Sequence, residues 1–177
     1  MSGAPAPLST TLVLGGARSG KSAYAEGLVR ASGLAPRYLA TGQAGDAEMA
    51  ERIAHHRARR GAEWTTREEP LRLTEALAGE AGEGRAVLVD CLTLWLSNLL
   101  FAERDLDAET ARLCETLADL PGPVVLVSNE VGMGLVPETP LGRRFRDAQG
   151  RLNQAVAAVV PCVVFVAAGL PMRLKGA

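Results

Sequence analysis

A glycine-rich segment near the start of the chain has the residue types and spacing that bind phosphate groups. It matches the pattern G-x-x-x-x-G-K-[ST] at every fixed position and consists of Gly15, Gly16, Ala17, Arg18, Ser19, Gly20, Lys21 and Ser22. Small residues let successive backbone N–H groups curl around a phosphate, and a helix that begins at the end of the segment points its partial positive charge at the anion. Lys21 is then expected to reach the β- and γ-phosphates of a nucleoside triphosphate, and the Ser22 hydroxyl is expected to bind Mg²⁺.

A chance match to this short pattern is the alternative, and the flanking sequence argues against it. The apolar run TTLVLG predicts a strand that leads directly into the segment, and the residues after Gly20 predict a helix. Asp90 ends another apolar run, AVLVD, at the position where phosphate-binding α/β folds hold Mg²⁺ directly or through water. We therefore predict a metal site formed by Ser22 and Asp90. The alternative for Asp90 is a cap on the following helix.

The only histidines of the chain, His55 and His56, are adjacent and fall within a predicted helix over 46–60. At about 100° per residue, His56 lies beside the apolar stripe that contains Ile53, whereas His55 points to the opposite, charged face. Glu51 lies one turn before His55, where its carboxylate could accept an imidazole N–H and make the other ring nitrogen a better nucleophile. The spacing thus permits a catalytic His55, although by itself it favours an exposed histidine of no catalytic role.

The hydrophobic pattern alternates between short β-branched runs and helical periodicity along the chain. Strands are predicted at 10–15, 37–41, 86–90 and 123–130, with the last strand at 163–168. Helices are predicted at 20–30, 46–60, 70–78, 107–119 and 141–158, with an extended piece around Trp64 and a buried helix or turn at 92–103. Such alternation predicts one α/β domain, 10–177, whose mostly parallel sheet has helices on both faces. Ligands of these sheets bind beyond the carboxyl ends of the strands, which is where Gly15, Thr41, Asp90 and Glu130 fall.

The composition argues against several classes of protein. The formal net charge of −1 over 177 residues gives no electrostatic reason to expect a nucleic acid or an anionic membrane as partner. The uncharged segment 153–172 is long enough for a membrane helix, but Pro161 divides it, so we expect no stable membrane insertion. Residues 1–9 are small and Pro-rich, so we expect a disordered start instead of a signal peptide. Three scattered cysteines, interpreted as reduced thiols, fit a cytoplasmic location.

Four longer segments resemble the bifunctional adenosylcobinamide kinase/adenosylcobinamide-phosphate guanylyltransferase family of cobalamin biosynthesis. They are LVLGGARSGKSAYAE (12–26), YLATGQAGDAEMAERIAHHRARR (38–60), VLVDCLTLWLSNLL (87–100) and VVLVSNEVGMGLVPETPLGRRFRDAQGRLNQ (124–154). The phosphate-binding segment is common to many families, whereas the histidine segment and the NEVGMG segment are far more specific. The resemblance implies a P-loop fold of RecA-like type that is usually assembled as a homotrimer.

Two reactions are implied by this resemblance. The first phosphorylates the aminopropanol hydroxyl of adenosylcobinamide with ATP or GTP. The second transfers GMP from GTP to adenosylcobinamide phosphate through a GMP–histidine intermediate, releasing pyrophosphate and giving adenosylcobinamide-GDP. The family's nucleophilic histidine corresponds to His55, in agreement with the helical-face argument. Its nucleotide contacts correspond to the residues of 15–22 and to Ala40, Thr41, Gly42, His56, Arg57, Ala58, Arg59, Glu68 and Asp90.

Other roles and functions stay open at this level. Asn129 and Glu130, at the end of a predicted strand, could orient the acceptor. Four arginines near one predicted helix could hold the acceptor phosphate or form a solvated face: Arg143, Arg144, Arg146 and Arg151. A small-molecule kinase of the nucleotide or shikimate type would use the P-loop without the histidine. A regulatory nucleotide-binding module would do no chemistry on a metabolite.

Overall fold

The computed structural model describes residues 7–42 and 61–176 of the chain. The strands are β1 (Thr11–Gly15), β2 (Ala35–Ala40), β3 (Thr65–Glu68), β4 (Arg85–Asp90), β5 (Val124–Asn129), β6 (Cys162–Ala167) and β7 (Leu170–Lys175). The helices within these ranges are α1 (Lys21–Ala31), α2 (Leu73–Glu80), α3 (Leu92–Phe101), α4 (Leu106–Asp119) and α5 (Pro140–Val159).

The strands of the described residues form one sheet in the order β3-β2-β4-β5-β1-β6-β7. Neighbouring strands are parallel, except that β7 runs antiparallel to β6. Parallel strands must be linked by crossovers, and the helices that supply them lie on the two faces of the sheet. This arrangement confirms the predicted α/β fold with a mostly parallel, RecA-like sheet.

Two apolar layers bury the sheet from both sides. On one face Val13 packs with Val29 of α1, and on the other Leu12 packs with Leu113 of α4 and Leu152 of α5. All five side chains are fully or almost fully buried. Consecutive residues of a strand point to opposite faces, so a central strand covered on both faces must be apolar at every position. This is the physical reason for the unbroken apolar runs in the sequence.

Most predicted elements are present within a few residues of their expected positions. The segment 92–103, for which the sequence left helix or turn open, is helix α3, and the extended piece around Trp64 leads into strand β3. The predicted helix over 46–60 lies outside the described residues. As expected, Pro161 divides the uncharged segment, because α5 ends at Val159 and β6 begins at Cys162. Within 7–42 and 61–176, no helix has both the length and the apolar character that crossing a bilayer requires.

The prediction that 163–168 is the last strand is wrong, because β7 follows it in a hairpin. The turn consists of Ala168 and Gly169, whose φ angles of 51° and 78° are both positive, as in the tight turns that suit the twist of a hairpin. Every residue of β7 is exposed. β7 lacks the continuous apolar run that marks the buried strands. Its strand signal is instead the alternation of Leu170, Met172 and Leu174 with a proline and two cations, a pattern typical of an edge strand, and the expectation of a last strand at 163–168 overlooked it.

The register of the sheet brings the carboxyl ends of five strands, β1 to β5, to the same edge of the sheet. Gly15 pairs with Asn129, and Ala40 pairs with both Asp90 and Glu68. This carboxyl edge is where Gly15, Thr41, Asp90 and Glu130 were expected to meet, and the topology confirms their shared position. Because neighbouring strands end at nearly the same level, short loops suffice to bring their polar residues together.

A buried polar network joins the end of β5 to helix α5. The Ser128 hydroxyl donates to Asn153 Oδ1 at 2.7 Å, and Gln149 Nε2 donates to both Ser128 Oγ and Asn153 Oδ1 at 3.0 Å. Asn153 Nδ2 donates to the Asn129 carbonyl at 3.1 Å. Asn153 thus ties the carboxyl end of a central strand to the helix that covers it.

We predict that Asn153→Ala destabilises the protein by about 2–3 kcal/mol, because it leaves buried polar groups of Ser128, Gln149 and Asn129 without their partner. Urea unfolding monitored by circular dichroism measures this change. The matched control is Gln154→Ala at the neighbouring exposed position, for which a change within about 0.5 kcal/mol is expected. If Asn153→Ala is as stable as wild type, the network makes no net contribution to the free energy of unfolding.

Candidate nucleotide-binding site

The phosphate-binding segment forms a loop between β1 and the first residue of α1. The loop turns through Arg18 at φ 56° and Gly20 at φ 94°, and the Ser19 N–H donates to the Gly16 carbonyl at 3.3 Å. Gly20 is favoured at the helix N-cap because an L side chain is strained at this φ. Gly15 is required for a different reason: a Cβ there would lie 2.5 Å from the carbonyl oxygen of Val166 on strand β6. The loop therefore has the compact form that lets backbone N–H groups converge on an anion.

Lys21 and Ser22 begin helix α1 at this loop. Lys21 is 9% exposed, and its Nζ donates to the Gly16 carbonyl at 2.9 Å, so its ammonium lies across the loop. Ser22 is half-buried in the first turn of the helix. This arrangement provides a cation, a hydroxyl and a helix N-terminus at one place, which is the set of groups that binds a nucleotide's phosphates.

Asp90 lies at the carboxyl end of β4, and a tyrosine holds one of its carboxylate oxygens. The Tyr38 hydroxyl donates to Asp90 Oδ2 at 2.9 Å. Tyr38 is almost fully buried, and its ring and that of Trp64 form a T-shaped pair with centroids 6.2 Å apart. The sequence analysis missed Tyr38, because its role depends on the pairing of β2 with β4. A hydrogen bond of this kind fixes the orientation of a carboxylate that binds a metal.

The side chains of Thr41 and Asn98 hydrogen-bond the backbone next to the ends of β2 and β4. Thr41 is fully buried, and its hydroxyl donates to the Cys91 carbonyl at 2.7 Å and accepts the Cys91 N–H at 2.9 Å. Asn98 Nδ2 donates to the carbonyls of Thr41 at 2.8 Å and Pro70 at 3.0 Å. The hydroxyl of Thr41 is thus used inside the protein, so the predicted nucleotide contact of Ala40, Thr41 and Gly42 would have to come from their backbone.

Cys91, next to Asp90, is not a competing nucleophile. Burial, and secondly the charge of Asp90, raise the pKa of the Cys91 thiol to about 11, while Lys21 acts in the opposite direction. The thiol is therefore protonated at neutral pH, and only the thiolate is reactive.

Strand β5 lies between β1 and β4 and carries two further polar residues to this edge. The Asn129 N–H donates to Thr93 Oγ1 at 2.8 Å, and the Glu130 N–H donates to the Gly15 carbonyl at 3.1 Å. The Glu130 carboxylate accepts the N–H of Gly132. Asn129 and Glu130 thus border the phosphate-binding loop directly. Thr93 was missed by sequence reasoning, because its role depends on how α3 packs on the sheet.

The remaining predicted residues have different positions relative to this site. Glu68 ends β3 beside Ala40 at the same edge, and it is exposed. The four arginines of α5 do not act as one cluster. Arg143 donates to the carbonyls of Pro137 and Glu138, Arg146 pairs with Asp147, Arg151 lies 4.0 Å from Asp107, and Arg144 is exposed. Five predicted residues lie outside the described part of the chain: His55, His56, Arg57, Ala58 and Arg59.

The predicted metal-binding pair, Ser22 and Asp90, fits Mg²⁺ by its chemistry. Both residues offer oxygen ligands, and the Tyr38 hydrogen bond orients the carboxylate. No group of three or more His, Cys, Asp or Glu side chains suited to a metal occurs in 7–42 and 61–176. An all-protein metal cage is therefore not present in these ranges, and Mg²⁺ in phosphate-binding sites needs none, because substrate phosphates and water supply its other ligands.

Known proteins are similar to this one over almost the whole chain. Residues 11–174 match the family model described as cobinamide kinase/cobinamide phosphate guanyltransferase. The bifunctional adenosylcobalamin biosynthesis protein CobP of Pseudomonas aeruginosa is 58% identical, over 93% of this chain and 96% of its own length. The bifunctional adenosylcobalamin biosynthesis protein CobU of Salmonella typhimurium is 42% identical, over 93% of this chain and 98% of its own.

Solved structures with much lower sequence identity share the fold. The RadB recombinase matches 90% of this chain and 74% of its own, with a TM-score of 0.52 and 18% identity. The flagellar accessory protein FlaH of Methanocaldococcus jannaschii matches 95% of this chain and 78% of its own, with a TM-score of 0.53 and 11% identity. These likenesses extend to the fold alone.

We predict that Tyr38→Phe raises the Mg²⁺ concentration required for half-maximal nucleotide-dependent activity by about tenfold, as is typical when a residue that orients a metal ligand is lost. A magnesium titration at saturating nucleotide measures the shift. Tyr24→Phe alters the only other tyrosine of the chain and should leave the titration unchanged. An unshifted midpoint in Tyr38→Phe would show that Asp90 does not depend on this hydrogen bond for metal binding.

Proposed function

The chain belongs to the cobinamide kinase/cobinamide phosphate guanyltransferase family, and from this membership we propose that it catalyses both steps of that activity. In the first, adenosylcobinamide is phosphorylated by ATP or GTP. In the second, GMP is transferred from GTP to adenosylcobinamide phosphate, with release of pyrophosphate. The observation that carries the proposal is the meeting of the Lys21 loop, Asp90 and Glu130 at one sheet edge, in a chain related to bifunctional enzymes over nearly its full length.

The first step needs a bound triphosphate and an oriented acceptor. The backbone N–H groups of 15–22 and the Lys21 ammonium would bind the β- and γ-phosphates, and Ser22 and Asp90 would hold Mg²⁺. The metal, when bound, neutralises charge that develops on the phosphate oxygens. We assign the orientation of the acceptor hydroxyl to Asn129 and Glu130, because the Glu130 N–H bonds the first residue of the loop at 3.1 Å.

The second step, in our proposal, passes through a GMP–histidine intermediate. A ring nitrogen of His55 attacks the α-phosphorus of GTP, and the bond to the bridging oxygen breaks so that pyrophosphate leaves. The same loop and lysine that bind the β- and γ-phosphates stabilise this leaving group. A phosphate oxygen of the acceptor then attacks the GMP phosphorus and releases His55. An unperturbed histidine, with a pKa of about 6.5, is mostly neutral and nucleophilic at pH 7.

The partners, the cellular location and the oligomeric state of the enzyme are part of the same proposal. GTP, ATP, adenosylcobinamide and its phosphate would be the small-molecule partners, and neither nucleic acid nor a membrane is involved. We propose a cytoplasmic homo-oligomer, and the family resemblance favours a trimer. Size-exclusion chromatography with light scattering tests the number of subunits.

We predict that Lys21→Ala lowers the rate of both steps by about 100-fold or more, because each step depends on a charge-assisted contact to the same phosphates. Phosphorylation of adenosylcobinamide and formation of adenosylcobinamide-GDP are measured separately by chromatography. Lys175→Ala is the matched control and should retain most activity, because Lys175 is an exposed lysine that bonds the Ala157 and Ala158 carbonyls and pairs with the start of β6, away from the carboxyl ends of the parallel strands. A kinase rate in Lys21→Ala within a few-fold of wild type would contradict a single shared phosphate site.

We predict that His55→Ala abolishes guanylylation and leaves much of the kinase reaction, because phosphorylation requires no covalent nucleotide on the enzyme. The readout is acid-labile, base-stable label trapped on the protein after incubation with α-³²P-GTP. His56→Ala is the control and should still trap label. Glu51→Gln should trap it more slowly, because the imidazole loses its orienting carboxylate.

The labelling result also separates this proposal from the two other interpretations of the sequence. A small-molecule kinase or a regulatory nucleotide-binding module would form no phosphoramidate, so wild type would remain unlabelled. Label that survives His55→Ala but not His56→Ala would reverse the assignment of the nucleophile. Label that survives both substitutions would contradict a histidine intermediate.

A further inference from the structure

The loop between β5 and α5 (residues 130–139) exposes large apolar side chains beside the nucleotide-binding site. Met133 is 81% exposed, Leu135 96% and Val136 66%, and Leu141 at the start of α5 is 50% exposed. Single exposed apolar residues are common on proteins, but several close together usually mark a binding surface.

The loop begins at the phosphate-binding loop itself. Strand β5 lies next to β1, with Asn129 paired to Gly15, and the Glu130 N–H donates to the Gly15 carbonyl at 3.1 Å. By chain length alone, the Cα atom of Met133 lies within about 11 Å of that of Glu130, and the Cα atom of Leu135 within about 18 Å. The exposed apolar side chains therefore belong to a loop that begins at the phosphate-binding loop, within reach of a ligand larger than the nucleotide's phosphates.

Specific hydrogen bonds hold both ends of the loop. At its start, the Glu130 carboxylate accepts the Gly132 N–H. At its end, Arg143 Nη1 donates to the carbonyls of Pro137 at 2.9 Å and Glu138 at 2.7 Å, and Thr139 Oγ1 caps α5 by accepting the Gly142 N–H at 3.0 Å. Between these anchors, Met133, Leu135 and Val136 are held outward with no described apolar cluster to cover them.

We infer that Met133, Leu135 and Val136 form the surface on which the corrinoid acceptor rests during both steps. This assignment depends on the proposed function. A corrinoid macrocycle carries methyl groups and a hydrocarbon ring system among its amide side chains, whereas a nucleoside triphosphate carries several charged phosphates. The reacting hydroxyl or phosphate is at the end of a side arm, so the surface that holds the macrocycle must lie beside the phosphate site and not inside it. The 130–139 loop has both the chemistry and the position.

The experiment compares two matched pairs of substitutions. The double variant Met133→Ser/Leu135→Ser removes apolar surface from the loop, and Met172→Ser/Leu174→Ser does the same on β7, where the two side chains are 53% and 61% exposed. Strand β7 runs antiparallel to β6, so Met172 and Leu174 lie progressively farther from the site edge. The measurements are the KM for adenosylcobinamide, the KM for GTP, the α-³²P-GTP label formed without acceptor, and the subunit number.

The loop variant should raise the KM for adenosylcobinamide about tenfold or more, since two apolar contacts are lost, with the KM for GTP and the label unchanged. The conservative variant Met133→Leu/Leu135→Met should keep the wild-type KM for the acceptor, because it retains the apolar surface. The β7 variant should match wild type in all the kinetic measurements. A higher KM for adenosylcobinamide with an unchanged KM for GTP is not expected from a general loss of structure.

Four results would overturn the assignment. An unchanged KM for adenosylcobinamide in the loop variant of an active enzyme would do so and leave the proposed function intact. A parallel loss of GTP binding and label would show that the loop supports the nucleotide site instead. A lower subunit number with an unchanged acceptor KM would identify the loop as a contact between copies of the chain. Wild type that neither phosphorylates adenosylcobinamide nor takes up label would instead overturn the proposed function, and the loop assignment with it.

Discussion

The structure depends above all on the close fit of the phosphate-binding loop between the ends of its two neighbouring strands. On one side the Glu130 N–H donates to the Gly15 carbonyl, and on the other the Gly169 N–H donates to the Ser19 carbonyl at 2.8 Å. The Val166 carbonyl approaches Gly15 so closely that no side chain fits there. The loop is thus held by backbone contacts from both sides, so its N–H groups are arranged before an anion binds, and little ordering is left for the binding step.

The acidic side of the site is held in a different way, by side chains from distant parts of the chain. Tyr38 of β2 orients Asp90 of β4, and Asn98 of α3 bonds the backbone of Thr41 after β2. All of these bonds are buried or half-buried, where a lost partner costs more than at the surface. The phosphate side therefore relies on backbone geometry that small residues permit. The acidic side relies on polar side chains that the packed core holds in place.

Much of the fold could be predicted from the sequence, because its signals are local. The apolar runs indicated the buried strands, and the glycines with Lys21 and Ser22 indicated the loop between β1 and α1. The hairpin strand β7 was missed, because it has no continuous apolar run, its alternating pattern includes a proline, and its two-residue turn contains an alanine at positive φ. The partners Tyr38, Thr93 and Asn98 were missed because each acts on a residue far away in the sequence, and nothing in its own surroundings indicates that contact.

The sequence by itself determined the class of fold, the phosphate-binding loop, and the strand ends at which polar residues gather. Periodicity and short motifs suffice for these, since they reflect interactions among residues close together in the chain. Only the tertiary structure decided which strands are neighbours, and hence that Glu130 bonds Gly15, that Tyr38 holds Asp90, and that the loop with Met133 and Leu135 begins beside the phosphate site. The order of strands in a sheet follows from packing all the elements at once, so no single segment of the sequence contains it.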